Sequence, residues 1–375
     1  MYDSQILIVG GGAAGLSTAG ALKCRGRTAI VIDRNARIGD VWAQRYDRLR
    51  LHTIYSDIAH YPLPRHYPEY PTKDQYAEYL RDYARRFEID VVAGCAVRKV
   101  GRAEDGARPG WLIASDCGDW RARVVVLATG QYGTPVVPNW PGRAEFTGEL
   151  IHSAAYKSAH SYAGKRVLVI GIGNSGAEIA AELAEQGASL VSISIRTQPP
   201  IVARDAFGMP AQRSSLLLTR LPQRMADVVA RTVTRLTVGD LSQHGLQPPA
   251  WWPYSAQHVP VIDAGFVLQL KRGRITVRPN IVRFRSSGVV FDNGCTEDFD
   301  AVIAATGYRC GLPDLLDLPG ALDEKGEPAF PSGQPTNYPG LYFMGYTHSL
   351  RGHLYEANRD SRRLAKLIEA YLRDG

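Results

Sequence analysis

The sequence predicts an α/β fold made of two similar halves, and a repeated strand–turn–helix pattern is the main evidence. Residues 5–15 (QILIVGGGAAG) run from an apolar β-type segment through a glycine turn into a helical pattern, and residues 166–176 (RVLVIGIGNSG) do the same. Each copy later reaches an apolar strand closed by Ala-Thr-Gly, at residues 124–130 (VVVLATG) and 301–307 (AVIAATG). The chain therefore contains one supersecondary unit twice.

Length and composition agree with this architecture. The 375 residues are 45% hydrophobic and 22% charged, and at one domain per ~150 residues they suffice for two or three domains with real cores. This composition excludes a disordered chain and a disulfide miniprotein. None of the five cysteines stands in a Cys-x-x-Cys pair, which argues against structural zinc and against a dithiol redox centre.

The charge pattern indicates small-molecule rather than macromolecular partners. The formal net charge is +7, and the arginines are scattered along the chain instead of concentrated in an arm. A solvated basic surface is therefore favoured over a nucleic-acid or membrane patch, and it suits phosphorylated or carboxylated ligands. No segment reaches the ~18 uninterrupted apolar residues of a membrane span, so we expect a soluble, cytoplasmic protein.

The first glycine turn has the context of a dinucleotide site. Gly10, Gly12 and Gly15 follow an apolar strand and precede the helical pattern of residues 16–22. In this arrangement the first glycine allows the turn, the second admits a pyrophosphate, and the third lets the helix pack on the strand. Asp33 ends the next predicted strand, eighteen residues after Gly15, where a carboxylate can accept hydrogen bonds from a ribose.

The second glycine turn, with Gly171, Gly173 and Gly176, differs where the acid should stand. Its second predicted strand, residues 189–195, is followed by Arg196. A guanidinium suits a 2′-phosphate that a carboxylate would repel, so this site should prefer NADPH to NADH. The alternative is a surface arginine without this role.

Short candidate strands at residues 113–115 and 121–127, and again over residues 275–291, predict an antiparallel meander in each half. Together these features predict two Rossmann-like dinucleotide-binding domains, the organisation of glutathione-reductase-like two-domain flavoproteins. We expect a discontinuous FAD-binding domain (1–163 and 310–375) around an NADPH-binding domain (164–309). Residues 209–253 form either a packed insertion or a substrate or partner surface.

Residues 146–157 (FTGELIHSAAYK) fit the pattern Phe-x-Gly-x-x-x-His-x-x-x-Tyr/Phe-Lys, and on this segment the chain resembles the flavin-containing monooxygenases. Related Baeyer–Villiger monooxygenases carry Trp-Pro where this chain has Tyr156-Lys157, and this difference argues against assigning the chain to them. Other segments resemble the plant YUCCA-type branch and its bacterial relatives, so that the resemblance covers nearly the whole chain. They are residues 70–73 (YPTK), 76–80 (YAEYL), 171–178 (GIGNSGAE), 259–265 (VPVIDAG), 288–291 (GVVF) and 299–308 (FDAVIAATGY).

The resemblance implies an FAD- and NADPH-dependent monooxygenase that acts on a small organic substrate and O₂ through a flavin C4a-(hydro)peroxide. Oxidative decarboxylation of an aromatic 2-keto acid, such as indole-3-pyruvate to indole-3-acetate, is the leading prediction. Thr53 stands about where amine-oxygenating members of the family place an asparagine. This difference weakens the prediction of an amine N-oxygenase and favours the YUCCA-type reaction. The alternatives are N- or S-oxygenation of an amine or sulfide, an NADPH oxidase or reductase serving a partner, and a non-catalytic nucleotide-binding module.

Specific residues can be assigned to these roles. Thr53 and His52 are the candidate catalytic residues, placed beside the flavin by the resemblance alone. The residues expected to bind FAD are Gly10, Gly12, Ala14, Gly15, Asp33, Arg34, Gly39, Trp42, Gly130 and Gly345, with backbone N–H groups of residues 349–352 beside the flavin. The residues expected to bind NADPH are Gly171, Gly173, Asn174, Ser175, Gly176, Ser194, Arg196, Arg204, Thr306 and Gly307. No metal site is predicted.

Overall fold

The computed structural model describes residues 1–103 and 110–374, which form two compact units. The first unit comprises Met1–Gln44, Ile54–Thr134 and Tyr308–Gly375, and the second comprises Arg45–Thr53 and Pro135–Gly307. The bounds of the cofactor-binding domains given above stay a prediction.

In chain order the strands are β1 (Tyr2–Val9), β2 (Ile30–Asp33), β3 (Asp90–Ala93), β4 (Val97–Ala103), β5 (Gly110–Ser115), β6 (Trp120–Leu127), β7 (Thr134–Pro135), β8 (Glu149–His152), β9 (Arg166–Ile170), β10 (Leu190–Ser194), β11 (Ile201–Ala203), β12 (Asp205–Ala206), β13 (Met209–Pro210), β14 (Val261–Asp263), β15 (Thr276–Arg278), β16 (Ile281–Arg285), β17 (Gly288–Phe291), β18 (Thr296–Asp298), β19 (Ala301–Ala304), β20 (Tyr308–Arg309) and β21 (Leu341–Phe343). The helices are α1 (Ala13–Lys23), α2 (Asp40–Ala43), α3 (Lys73–Arg86), α4 (Asn174–Glu185), α5 (Ala211–Leu218), α6 (Gln223–Thr237), α7 (Pro253–Ala256), α8 (Phe266–Lys271), α9 (Leu312–Leu315) and α10 (His353–Arg373).

The first unit is organised around a seven-stranded sheet with the order β3-β2-β1-β6-β5-β4, in which β21 also pairs with β6. Strands β3, β2, β1, β6 and β21 are parallel, whereas β6, β5 and β4 form the predicted antiparallel meander. The sheet is apolar on both faces because alternate residues of β1 enter different cores. On one of these faces, Ile6 and Ile8 pack with Leu364 and Ile368 of α10. The C-terminal segment therefore contributes both a strand and a helix to this unit.

Parallel pairing determines where the candidate residues meet in the first unit. Val9 pairs with Ile32 and with Leu127, so β1, β2 and β6 end at the same edge of the sheet. The glycine turn after β1, Asp33 at the end of β2 and the turn after β6 all follow at that edge. Ligands of open α/β sheets bind there, outside the carboxyl ends of the strands.

The second unit repeats the plan with a five-stranded parallel sheet, β15-β10-β9-β19-β8. Strands β16, β17 and β18 form a separate antiparallel meander. The prediction of one meander over residues 275–291 is therefore wrong at its start, because Val277 pairs in parallel with Ile193 at the edge of the main sheet. The parallel edge strand β15 and the meander that follows it could not be told apart in the sequence, because both are short segments rich in β-branched residues.

Helix α6, within the segment 209–253, exposes large apolar side chains. Its side chains at Met225, Val228 and Leu236 are 56%, 61% and 69% exposed, while Ala226 and Asp227 are buried. The apolar stripe of this amphipathic helix thus faces solvent, and its opposite side packs on the protein. Among the helices that the structure describes, none is long and apolar enough to cross a membrane.

Candidate functional site

The three glycines of the first turn have different tasks. A Cβ at Gly10 would lie 2.4 Å from the Ala128 carbonyl oxygen, and one at Gly15 would lie 1.9 Å from the Gly10 carbonyl oxygen. A Cβ at Gly12 would meet no heavy atom of the described residues within 4 Å. Packing therefore requires glycine at positions 10 and 15, whereas Gly12 leaves space for a ligand in front of α1. The N–H groups of the first turn of α1 make that space suitable for a pyrophosphate.

The Asp33 carboxylate is fixed beside this turn. Its Oδ2 accepts a hydrogen bond from the Gly11 N–H at 2.6 Å, and its Oδ1 accepts from the backbone N–H and side-chain Nδ2 of Asn35 at 2.7 and 2.9 Å. A carboxylate accepts about four hydrogen bonds, so the protein leaves capacity for a ribose hydroxyl. The prediction of a ribose-binding acid fits this geometry.

Two further predicted residues approach the start of α1. Gly345 is so close to Ala14 that a Cβ at position 345 would lie 2.7 Å from the Ala14 Cβ. Its carbonyl oxygen accepts a hydrogen bond from Gln131 Nε2 at 3.4 Å. Gly130, with φ of +83°, precedes Gln131 in the turn after β6. The first unit thus brings Gly12, Ala14, Gly130 and Gly345 to one edge of its sheet.

The residues after Asp33 have mainly structural contacts. Arg34 is exposed and donates to the Gly133 carbonyl oxygen at 3.4 Å. Gly39 has φ of +84° and begins α2 against Ala77, since a Cβ there would lie 2.6 Å from the Ala77 carbonyl oxygen. The Trp42 ring packs edge-on against Tyr76, with centroids 4.9 Å apart. The Gly39–Trp42 segment therefore anchors the loop to α3.

The turn at residues 349–352 satisfies some of its own backbone groups. The Arg351 N–H donates to Ser349 Oγ at 3.1 Å, and the Gly352 N–H donates to the Ser349 carbonyl oxygen at 3.2 Å. Helix α10 begins at His353, directly after Gly352. The N–H groups of its first turn are therefore better placed to meet an anion than those of Arg351 and Gly352.

The second unit reproduces the glycine arrangement of the first. A Cβ at Gly171 would lie 2.6 Å from the Ala305 carbonyl oxygen, and one at Gly176 would lie 1.9 Å from the Gly171 carbonyl oxygen. A Cβ at Gly173 would again meet no described heavy atom within 4 Å. Asn174 Oδ1 accepts the Ile262 N–H at 2.8 Å, which ties the start of α4 to β14. Ser175 lies half-exposed in the first turn of α4.

The end of β10 carries the residues predicted to choose between NADPH and NADH. Ser194 is buried and its hydroxyl donates to the Pro279 carbonyl oxygen at 2.7 Å, which commits its proton to the protein. Arg196 is exposed two residues later. Arg204 is paired with Asp205, with Nε 3.1 Å from Oδ2. Arg196 is accordingly the stronger candidate for a 2′-phosphate.

Replacing Arg196 by Ala should therefore lower the preference for NADPH over NADH. Loss of a hydrogen bond to a charged group costs about 1.5–3 kcal/mol, or roughly 10- to 150-fold in preference. Flavin reduction rates with each cofactor measure this ratio, and Arg283→Ala, an exposed arginine of β16, is the control. If Arg196→Ala keeps the wild-type ratio of the reduction rates with NADPH and NADH while Arg204→Ala lowers it, Arg204 is the residue that binds the 2′-phosphate.

The segment at 146–157 has a structural role in the second unit. His152 Nδ1 accepts the Ala154 N–H at 3.1 Å, so Nε2 carries the proton and donates to the Gly307 carbonyl oxygen, also at 3.1 Å. Burial lowers the pKa of His152 and favours this neutral form. The neighbouring Thr306 hydroxyl donates to the Val136 carbonyl oxygen. This histidine thus orients the Thr306–Gly307 turn, which was predicted to bind NADPH.

The same segment also contacts α4. The Tyr156 hydroxyl donates to Glu182 Oε2 at 3.0 Å, and both residues are buried. A Cβ at Gly148 would lie 2.8 Å from the Asp300 carbonyl oxygen. Gly148 is therefore explained by packing of β8 beside β19, and Tyr156 joins the segment after β8 to α4.

A buried carboxylate that the sequence analysis missed organises the segment around His52. Glu178 Oε1 lies 2.6 Å from His52 Nε2, and Glu178 Oε2 accepts the Tyr46 hydroxyl. Burial first and the Glu178 charge second hold the pKa of Tyr46 well above its usual value, so the phenol stays a donor. His52 Nδ1 is buried and has no partner among the described protein atoms. Thr53 is half-buried beside it.

Replacing Glu178 by Ala should destabilise the second unit strongly. Removing one member of a buried polar cluster leaves its partners unsatisfied, at a cost of about 3–5 kcal/mol. Glu185→Ala on the same helix is the matched control, because its pair with Arg48 (2.8 Å) is partly exposed and such pairs contribute about 0–1 kcal/mol. Thermal unfolding of both variants compares the two costs, and equal melting temperatures would refute this role of Glu178.

Comparisons with known proteins come from sequence and from structure. Residues 7–205 match the family model described as pyridine nucleotide-disulphide oxidoreductase. The chain is 36% identical to indole-3-pyruvate monooxygenase YUCCA6 of Arabidopsis thaliana, over 96% of this chain and 89% of that protein. It is 34% identical to indole-3-pyruvate monooxygenase YUCCA1 of Oryza sativa subsp. japonica, over 98% and 92%.

Among solved structures, a mutant of the flavin monooxygenase from Stenotrophomonas maltophilia superposes with a TM-score of 0.77 at 25% identity, covering 99% of this chain and 100% of that one. An oxidized steroid monooxygenase bound to NADP also reaches a TM-score of 0.77, at 20% identity and covering 100% and 86%. At 20% identity, the similarity to the steroid monooxygenase shows a shared fold only.

Proposed function

Because the chain belongs to the flavin-containing monooxygenases, we propose that it decarboxylates an aromatic 2-keto acid oxidatively, with indole-3-pyruvate as the leading substrate. The protein is a flavin-dependent monooxygenase whose cofactors are FAD and NADPH. The observation that supports the substrate is similarity over almost the whole chain to proteins named indole-3-pyruvate monooxygenases.

The two glycine turns support a division of labour between the units. The open position at Gly12 and the fixed carboxylate of Asp33 fit the pyrophosphate and ribose of FAD. The open position at Gly173 and the exposed Arg196 fit NADPH and its 2′-phosphate. When bound, the flavin supplies the redox chemistry and activates O₂, while the protein binds, orients and keeps water from the reacting atoms.

The proposed reaction balances without any further reagent. One 2-keto acid, one O₂, one NADPH and one proton give the acid shortened by one carbon, CO₂, NADP⁺ and water. The keto carbon is oxidised and its bond to the carboxylate breaks, while NADPH provides the two electrons that reduce the second oxygen atom to water. A carboxylated substrate also suits a protein with a formal net charge of +7.

Labelled oxygen tests the substrate. Incubation with NADPH, ¹⁸O₂ and indole-3-pyruvate should give CO₂ and indole-3-acetate that carries one labelled atom in its carboxylate, as measured by mass spectrometry. A panel of other aryl-pyruvates, tertiary amines and sulfides is run in parallel. If an amine or sulfide is oxygenated while no aryl-pyruvate loses CO₂, the substrate proposal is wrong and the monooxygenase assignment stands.

We further propose that His52 acts near the reacting centre as a positioning residue. Glu178 Oε1 lies 2.6 Å from its Nε2, and its Nδ1 is a buried polar atom that no described protein atom satisfies. His52→Gln should lower turnover while FAD content and NADPH affinity remain as in the wild type, because neither glycine turn includes it. A variant that loses turnover and FAD together would show that His52 has a structural role instead.

A further inference from the structure

Two cysteines distant in sequence meet at the edge of the antiparallel meander of the first unit. Val97 of β4 pairs with Ser115 of β5 at the end of the ladder, and Cys95 and Cys117 each lie two residues beyond that pair. The Asp116 N–H donates to the Ala96 carbonyl oxygen at 3.0 Å, and this backbone contact brings the adjacent residues Cys95 and Cys117 near each other.

The two thiols are close enough to influence each other. Cys95 Sγ lies 3.4 Å from Ser115 Oγ, in the residue that begins the turn carrying Cys117, and the neighbouring Cys95 thiol raises the pKa of Cys117. Cys95 is 1% exposed, whereas Cys117 is exposed in the turn between β5 and β6. One thiol can therefore meet a reagent from solution while its neighbour is protected behind it.

We propose that Cys95 and Cys117 form an oxidisable thiol pair, which hydrogen peroxide converts into an intramolecular disulfide. The Cys117 thiolate attacks one peroxide oxygen and becomes a sulfenic acid, with release of hydroxide. The Cys95 thiolate then attacks the sulfenic sulfur and displaces a second hydroxide, which completes the S–S bond. In sum, two thiols and one H₂O₂ give one disulfide and two waters, and a dithiol reductant reverses the change.

The surroundings of the pair predict a slow reaction at neutral pH. Contact with the Cys95 thiol raises the pKa of Cys117, with smaller contributions from burial and the Asp116 carboxylate. Arg98 is paired with the Asp116 carboxylate at 2.7 Å, and Asp119 follows in the same connection between β5 and β6. Since the thiolate is the nucleophile, the rate should rise about tenfold per pH unit below the thiol pKa.

Peptide mass spectrometry of the flavin-loaded enzyme, treated with a small excess of H₂O₂ and then alkylated, tests the proposal. The expected product links the peptides of Cys95 and Cys117, protects two of the five thiols, and disappears after dithiothreitol. Cys117→Ser should abolish the link, whereas Cys295→Ser, an exposed cysteine of the second unit, should leave it intact. FAD content of each variant reports its folding.

Two outcomes would contradict the proposed thiol pair. If Cys95 and Cys117 both remain open to alkylation in unfolded samples of the oxidised enzyme, while Cys24 or Cys295 has reacted, the pair is not oxidisable and the proposal is wrong. A Cys117 that stops at the sulfinic acid with Cys95 unreacted would also contradict it. Neither outcome bears on the substrate, because the thiols are tested without one.

Discussion

Gly12→Val should give a folded protein that is purified without the yellow colour of a flavoprotein. A side chain at position 12 meets no described atom within 4 Å, and the backbone there (φ −78°, ψ −174°) accepts valine. Valine is also a poorer N-cap residue for α1 than glycine. The resulting loss of stability is about 1 kcal/mol, which is too little to unfold a domain. The added methyl groups instead occupy the space proposed for the pyrophosphate of FAD.

The ratio of flavin to protein absorbance after purification measures the effect, with circular dichroism as the test of folding. Gly15→Ala is the informative contrast, because its Cβ would lie 1.9 Å from the Gly10 carbonyl oxygen and should prevent the turn from forming at all. A soluble Gly12→Val variant that keeps full FAD would remove the first glycine turn from the cofactor site.

Gly173→Val should separate the second site from the first. Position 173 is equally open and begins α4 with similar backbone angles (φ −74°, ψ 179°). We expect this variant to keep FAD and its colour but to lose nearly all flavin reduction by NADPH, since the side chain blocks the proposed pyrophosphate site of the second unit.

Reduction by dithionite is the control for this variant, because it needs no nicotinamide site. The variant should be reduced by dithionite as readily as the wild type. Normal reduction by NADPH would show that the second glycine turn does not bind it, and loss of FAD from Gly173→Val would contradict the assignment of one cofactor to each unit.

The parts of the fold that depend on local pattern were predictable from sequence. Both glycine turns and the strand ending at Asp33 lie where the pattern puts them. Parallel pairing then brings Asp33 beside the first turn without further information, because β1 and β2 end at one edge.

The contacts that join distant residues were not predictable in this way. Glu178 contacts Tyr46 and His52, which lie more than 120 residues away in the sequence. Nothing local marks it except its spacing of four residues from Glu182 on α4. The absence of a Cys-x-x-Cys pair argued against a dithiol centre, yet the backbone contact between Ala96 and Asp116 brings Cys95 and Cys117 near each other. The outward stripe of α6 was hidden as well, since an amphipathic pattern does not say which face is buried.

The coupling of NADPH oxidation to oxygenation tests the central claim most directly. NADPH consumed, H₂O₂ released and product formed are measured together, with and without each member of the substrate panel. A monooxygenase predicts that one substrate class accelerates NADPH consumption and that product, rather than peroxide, accounts for most of it. NADPH consumption that no substrate changes, matched throughout by an equal amount of H₂O₂, would instead identify an NADPH oxidase and contradict the account.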